Sequence, residues 1–222
     1  FSIMKYSIDQ LSKISGINKI TLRSWESRHN FLTPKRTNTN IRFYSEKNVV
    51  CLLNTKVLLS EKIKISTIAT KSEEQICSLV DSKFLDKKNT NKNVYIARII
   101  RAALCYDRNL FDTTLLRGFE RYGLSIFYLE IMFVALKKIG YIWEVKSNDP
   151  NHEKFVSILL EKKINDITKE LNETKMSKDI WLLFIMSPYV FLNRSDSHFI
   201  SLSSTTNMVA DASDNFSEKW SF

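Results

Sequence analysis

At 222 residues, 44% of them apolar and 26% charged, the chain is long enough to build one large or two small hydrophobic cores, and two domains are expected. No run of about 18 uncharged apolar residues occurs, and Ile180–Met186 is far too short to cross a bilayer, so no membrane span is expected. The net charge of +9 is unevenly placed: residues 1–72 hold thirteen Lys and Arg against four Asp and Glu, a surplus of nine, and the remaining 150 residues are neutral. The N-terminus lacks the apolar stretch and small-residue cleavage site of a secretory signal, so a cytoplasmic location is expected, and the chain starts at Phe1 as a fragment or an unusual start would. Cys51, Cys77 and Cys105, spaced 26 and 28 residues apart without a C-x-x-C, suggest buried thiols rather than a disulfide framework or a zinc cluster.

In chain order, Ser7 is placed to cap a first helix through Asp9, Leu11 and Ile14, with Gln10 completing a capping box, and Gly16 to end it. Asn18 then caps a second helix from Lys19 to about Arg28. Its Ile20 is expected to face the first helix, with Ile17 and Trp25 as further candidates, while Thr21, Arg23, Ser24 and Arg28 point outward. Pro34 is expected to end the helical stretch. Lys35–Asn40 reads as a hairpin loop before a short strand, Ile41–Tyr44, which would bring Lys35, Arg36 and Arg42 near phosphates. Ser45 starts a further amphipathic helix carrying Val49, Val50, Leu52, Leu53 and Val57, and Ser66–Ala69 begins a short one. Two short helices at this spacing followed by a basic hairpin predict a winged helix-turn-helix whose second helix enters the major groove. The positive surplus falls on the same segment, as phosphate neutralisation requires.

These residues closely resemble the DNA-binding domain of the MerR family of transcriptional regulators. The resemblance covers about residues 5–70 and rests on Tyr6-Ser-Ile8, Thr21-Leu-Arg-Ser-Trp-Glu26, Leu32-x-Pro-x-Arg36 and Arg42-Phe-Tyr-Ser45. It implies DNA contacts by Thr21, Arg23, Trp25, Arg36, Arg42 and Tyr44, to which the outward placement of Arg28 and the wing position of Lys35 add two more. Trp25 has the core as its alternative place. Asn40-Ile41 replaces the family's Gly-Tyr before the wing arginine, which bears on the turn rather than on the basic contacts. The resemblance also implies a homodimer on an inverted-repeat double-stranded operator.

Residues 71–92 read as a short helix followed by a polar linker. From Asn93 the apolar spacing predicts four helices, at about 93–106, 110–121, 125–143 and 151–172, broken at Asp107–Asn109, Tyr122–Gly123 and Ser147–Pro150, and these form a small bundle. Tyr122-Gly-Leu124, Ile139-Gly-Tyr-Ile-Trp143 and Glu153 are similar to the helical half of cobalamin-binding modules, including those of light-sensing, B12-dependent MerR-type repressors. That similarity implies Trp143 and Glu153 as residues covering a corrin face. Lys154 stands where the family has His, and His152, one position off and so rotated by about 100° on a helix, does not replace it. Ile180–Met186 looks like a first buried strand, but no D-x-H-x-x-G follows, and His198 reads as a surface residue. No bound cofactor is therefore expected, with cobalamin as the alternative that the resemblance leaves open.

The expected architecture is mainly α. Residues 1–72 form the winged helix-turn-helix, 73–92 the linker, 93–175 the helical bundle, and 176–222 a truncated or disordered segment with a short vestigial strand. The expected function is that of a sequence-specific, dimeric transcriptional regulator with a helical sensor or oligomerisation domain. The alternative is a cobalamin-like ligand sensor or protein-interaction module that has lost its cofactor site. Paired carboxylates, a Ser/His/Asp or Cys/His arrangement and a phosphate loop do not stand out, so no enzyme is expected and no metal.

Overall fold

The computed structural model describes residues 5–144 and 151–173. Its architecture is mainly α, with one small two-stranded sheet among the described residues. Local chemistry sets the first elements. Ser7 and Gln10 form a reciprocal capping box at the start of α1 (Ile8–Ser15), and Gly16, at φ 71°, closes it by donating its N–H to the Ser12 carbonyl at 2.7 Å. Asn18 accepts from the Ile20 N–H at 2.9 Å and starts α2 (Lys19–His29). This helix ends at Asn30, in the left-handed region at φ 50°, four residues ahead of Pro34. An Asn that tolerates this conformation stops the helix before the proline can.

Strands β1 (Lys35–Arg36) and β2 (Arg42–Phe43) pair antiparallel, Lys35 opposite Phe43 and Arg36 opposite Arg42. Tyr44 then bridges to Tyr6 through two backbone hydrogen bonds of 2.8 and 2.9 Å, tying the hairpin to the start of the chain. Ser45 and Asn48 form a second capping box on α3 (Glu46–Ser60), and the short α4 (Ile65–Ile68) follows. Ser72 and Gln75 form a third on α5 (Glu73–Leu85), which buries Ile76, Val80 and Phe84. The polar stretch after it is tethered. Asn91 Nδ2 donates to Glu61 and Ser60, both at 2.8 Å, and Arg117 and Arg121 donate to the Leu85 and Lys87 carbonyls, both at 2.7 Å.

The later helices are α6 (Lys92–Cys105), α7 (Arg108–Ile126), a π-helical turn over Phe127–Met132 that runs into α8 (Phe133–Glu144), and α9 (Asn151–Glu173). The break expected at Tyr122–Gly123 is a kink inside α7, where Gly123 adopts φ 73° and ψ 165°. Helices α3 and α6 are the most buried and form the centre of the described residues. Helix α3 packs against α1 as well as against α5 and α6, and α8 packs against α1 and α6. The strand expected at Ile180–Met186 and the segment 176–222 lie outside the described residues.

Candidate nucleic-acid interface

A three-residue turn, Gly16-Ile17-Asn18, joins α1 to α2, and side-chain hydroxyls hold it. Ser12 Oγ donates to the Ile17 carbonyl at 2.7 Å, and the Ile17 N–H donates to Ser15 Oγ at 3.1 Å. With Asn18 as cap, Ile17 and Leu22 occupy the positions of a hydrophobic staple, and Leu22 is 1% exposed. Ile20, expected to face α1, is instead 77% exposed. The staple places Leu22 inward, and Ile20, two residues earlier and so about 200° around the helix, must face out. Arg23, Ser27 and Arg28 share this outward side, while Thr21 and Ser24 are half-buried. Trp25 is also half-buried, its ring edge-on to the buried Phe31 at 6.1 Å, which makes it a support for the helix more than a free contact.

The wing presents Lys35, Arg36 and Arg42, all exposed. Asn40 takes φ 64° at the turn, the left-handed conformation a glycine would adopt, and its Oδ1 accepts from Arg36 Nη1 at 2.6 Å. The turn is closed by the Thr37 N–H on the Ile41 carbonyl at 2.9 Å, and Lys5 Nζ stacks over the Phe43 ring at 5.0 Å. The loop is thus shorter than Lys35–Asn40, because Lys35 and Arg36 already belong to the sheet.

Tyr44 is 1% exposed, and its hydroxyl donates to the Glu26 carboxylate on α2. Burial first, and then this bond, raise the phenol above its ordinary range, while the nearby Arg42 and Arg23 act in the opposite direction. One buried phenol is therefore the meeting point of the second helix and the wing, and Arg23 and Arg42 lie close to it from the two sides. Among the described residues no ion pair involves Arg23, Arg28, Lys35, Arg36 or Arg42. Five exposed cations on one helix and one hairpin thus stand without carboxylate partners. Residues that the sequence pattern did not place in the site are Ile20, on the outward side, and Glu26 and Asn40, which position Tyr44 and Arg36. Two of them carried a signal: Glu26 closes the Thr21–Glu26 motif, and Asn40 stands at a turn where glycine is usual.

Two short helices with a tight turn, a cationic second helix and a basic hairpin define a winged helix-turn-helix. Residues 6–75 match the family described as MerR HTH family regulatory protein. A stretch of 64 residues is 34% identical to the HTH-type transcriptional repressor CarH of Myxococcus xanthus, covering 29% of this chain and 21% of that relative. The match thus spans about a fifth of the length of the curated relative. The N-terminal segment is a MerR-family helix-turn-helix domain.

Of the residues proposed from the cobalamin resemblance, Trp143 falls in the last turn of α8 and Glu153 in the first turn of α9. Their side chains, and that of His152, lie outside what is described. Lys154, at the position of the family's His, is exposed. No group of three or more His, Cys, Asp or Glu able to hold a metal ion occurs among the described residues.

Proposed function

We propose that this protein is a transcriptional regulator that reads double-stranded operator DNA through α2 and the β1–β2 wing, as a homodimer on an inverted repeat. The observation that carries the reading is the set of five exposed, unpaired cations on those two elements, in a domain of MerR type. Arg23 and the exposed Ile20 lie on the outward side of α2, so Arg23 reaches base edges and Ile20 suits a thymine methyl. Lys35, Arg36 and Arg42 neutralise phosphates flanking the groove. Helices α6–α9 serve as a sensor or oligomerisation domain. The reading invokes no corrin, because an ammonium at Lys154 does not supply the imidazole of the resembled family.

The test is selection of binding sites by the full chain from a randomised duplex library, followed by titration of the enriched duplex at several salt concentrations. An inverted repeat should emerge. Arg42→Ala should weaken enriched and random duplexes alike and lower the salt slope by about one. Arg23→Ala should cost about 1–3 kcal/mol on the enriched duplex and less on random DNA. Enrichment of no sequence, or parental affinity in both variants, would refute the assignment.

A further inference from the structure

Cys77 and Cys105 are far apart in sequence, but α5 and α6 run antiparallel and bring them together. Side-chain contacts define the register: Phe84 packs edge-on to Tyr95 at 5.2 Å, and Asp81 accepts two hydrogen bonds from Arg101 Nη2, at 2.7 and 2.9 Å, and one from Arg98. Cys77 lies four residues before Asp81, and Cys105 four residues after Arg101. Because the chain direction reverses between the helices, both shifts run toward the same end of the pair: with Asp81 level with Arg98, Cys77 is level with Arg101, and Cys105 lies about one turn beyond it on the same side of α6. The Arg101 side chain also hydrogen-bonds Cys77, and Cys105 lies within electrostatic reach of both Arg101 and Cys77. Asn54 Nδ2, from α3, donates to Cys77 Sγ at 3.1 Å. Cys51 neighbours Cys77 from α3 but is buried, and burial pushes its thiol up to about 12, which makes it inert. Cys77 is half-buried and Cys105 is exposed at the end of α6, so a small oxidant can reach the pair.

We propose that Cys77 and Cys105 form a peroxide-responsive dithiol that closes into an intrachain disulfide. The Cys77 sulfur gives up its proton and attacks one oxygen of hydrogen peroxide, next to Arg101. The O–O bond breaks, the departing hydroxide is protonated to water, and Cys77 becomes a sulfenic acid. The Cys105 sulfur then attacks the Cys77 sulfur. The S–O bond breaks, and hydroxide leaves as water with the Cys105 proton. Two thiols and one peroxide yield one disulfide and two waters. Cys105 is exposed, so its thiol is open to solvent as it attacks, and its proton leaves with the hydroxide as water. Its place in the last turn of α6, before the left-handed cap at Tyr106, gives the backbone room to adjust to disulfide geometry.

The reduced full chain is treated with one equivalent of hydrogen peroxide, and its thiols are titrated after denaturation. Titratable thiols should fall from three to one and return with dithiothreitol, and a non-reducing digest should yield a peptide joining Cys77 to Cys105. In Cys105→Ser, dimedone should trap a sulfenic acid on Cys77; Cys77→Ser should lose thiols at least about tenfold more slowly, and Cys51→Ser should match the parent. The parental digest decides the matter even if a variant misfolds. A linkage through Cys51, disulfide-joined dimers on a non-reducing gel, or thiol loss no faster than that of free cysteine would each overturn the proposal.

Discussion

Tyr44 has the chemistry to contact a phosphate, yet its hydroxyl is turned inward onto Glu26 and only 1% of the residue is exposed. What the structure gives it is a buried link between the wing strand and α2. Tyr44→Phe should therefore lose about 1–2 kcal/mol of stability in urea unfolding, because the Glu26 carboxylate is left without its donor. The salt slope of DNA binding should stay that of the parent; a fall by about one would show that the hydroxyl meets phosphate after all. Arg23, Arg28, Lys35, Arg36 and Arg42 were all legible as outward cations, since charge and periodicity alone keep such side chains in water. Ile20 and Tyr44 were not. One looked like core and is exposed, and the other looked like a contact and is buried, because which side of a short helix or strand faces inward is decided by its neighbours.

At the level of single elements, the helix starts were the most readable feature. Ser7, Asn18 and Ser45 cap as their side chains dictate, and Gly16 ends α1 through a left-handed conformation, all of it chemistry within a few residues. The π-helical turn at Phe127–Met132 was not readable, since apolar spacing of three and four continues through it unchanged. Nor was the need for Gly118. A Cβ there would lie 1.9 Å from a ring carbon of Phe127, a side chain that is fully buried. Helix propensity would favour alanine on α7, but this overlap forces the Phe127 ring, packed edge-on to Phe119 at 5.0 Å, out of place. Gly118→Ala should cost about 1–3 kcal/mol and lower the thermal midpoint, whereas Glu120→Ala on the exposed side of α7 should change it little. An unchanged midpoint in Gly118→Ala would mean that the ring has another place to go.

Across the described residues, α1 of the helix-turn-helix domain is held against α8. Lys138 Nζ donates to the Ile14 carbonyl, Lys56 Nζ to the Ser15 carbonyl at 2.8 Å, and Lys13 Nζ lies over the Tyr141 ring at 4.2 Å. Two amines thus converge on the C-terminal carbonyls of α1, where the helix dipole favours cations. Burial, and then repulsion from Lys56, pull the Lys138 ammonium from its ordinary 10.5 down to about 8. The folded protein then binds this proton less tightly than the unfolded chain, so the penalty is fully present below pH 8 and is relieved as pH rises toward 10.5. The urea midpoint should rise between those values in the parent, and Lys138→Met should abolish most of that rise; an identical slope would place the titration elsewhere. For the cofactor, protein incubated with adenosylcobalamin in the dark and gel-filtered should elute without corrin absorbance, given Lys154 in place of the family's His. Co-elution would mean that Trp143 and Glu153 suffice. By itself the sequence determined the helical class, the helix-turn-helix, its caps and its basic surplus, because these depend on side chains within a turn or two of one another. Only the tertiary structure decided that α1 docks on α8, that Tyr44 faces Glu26, and that Cys77 meets Cys105, because such contacts depend on helix register and packing between distant segments.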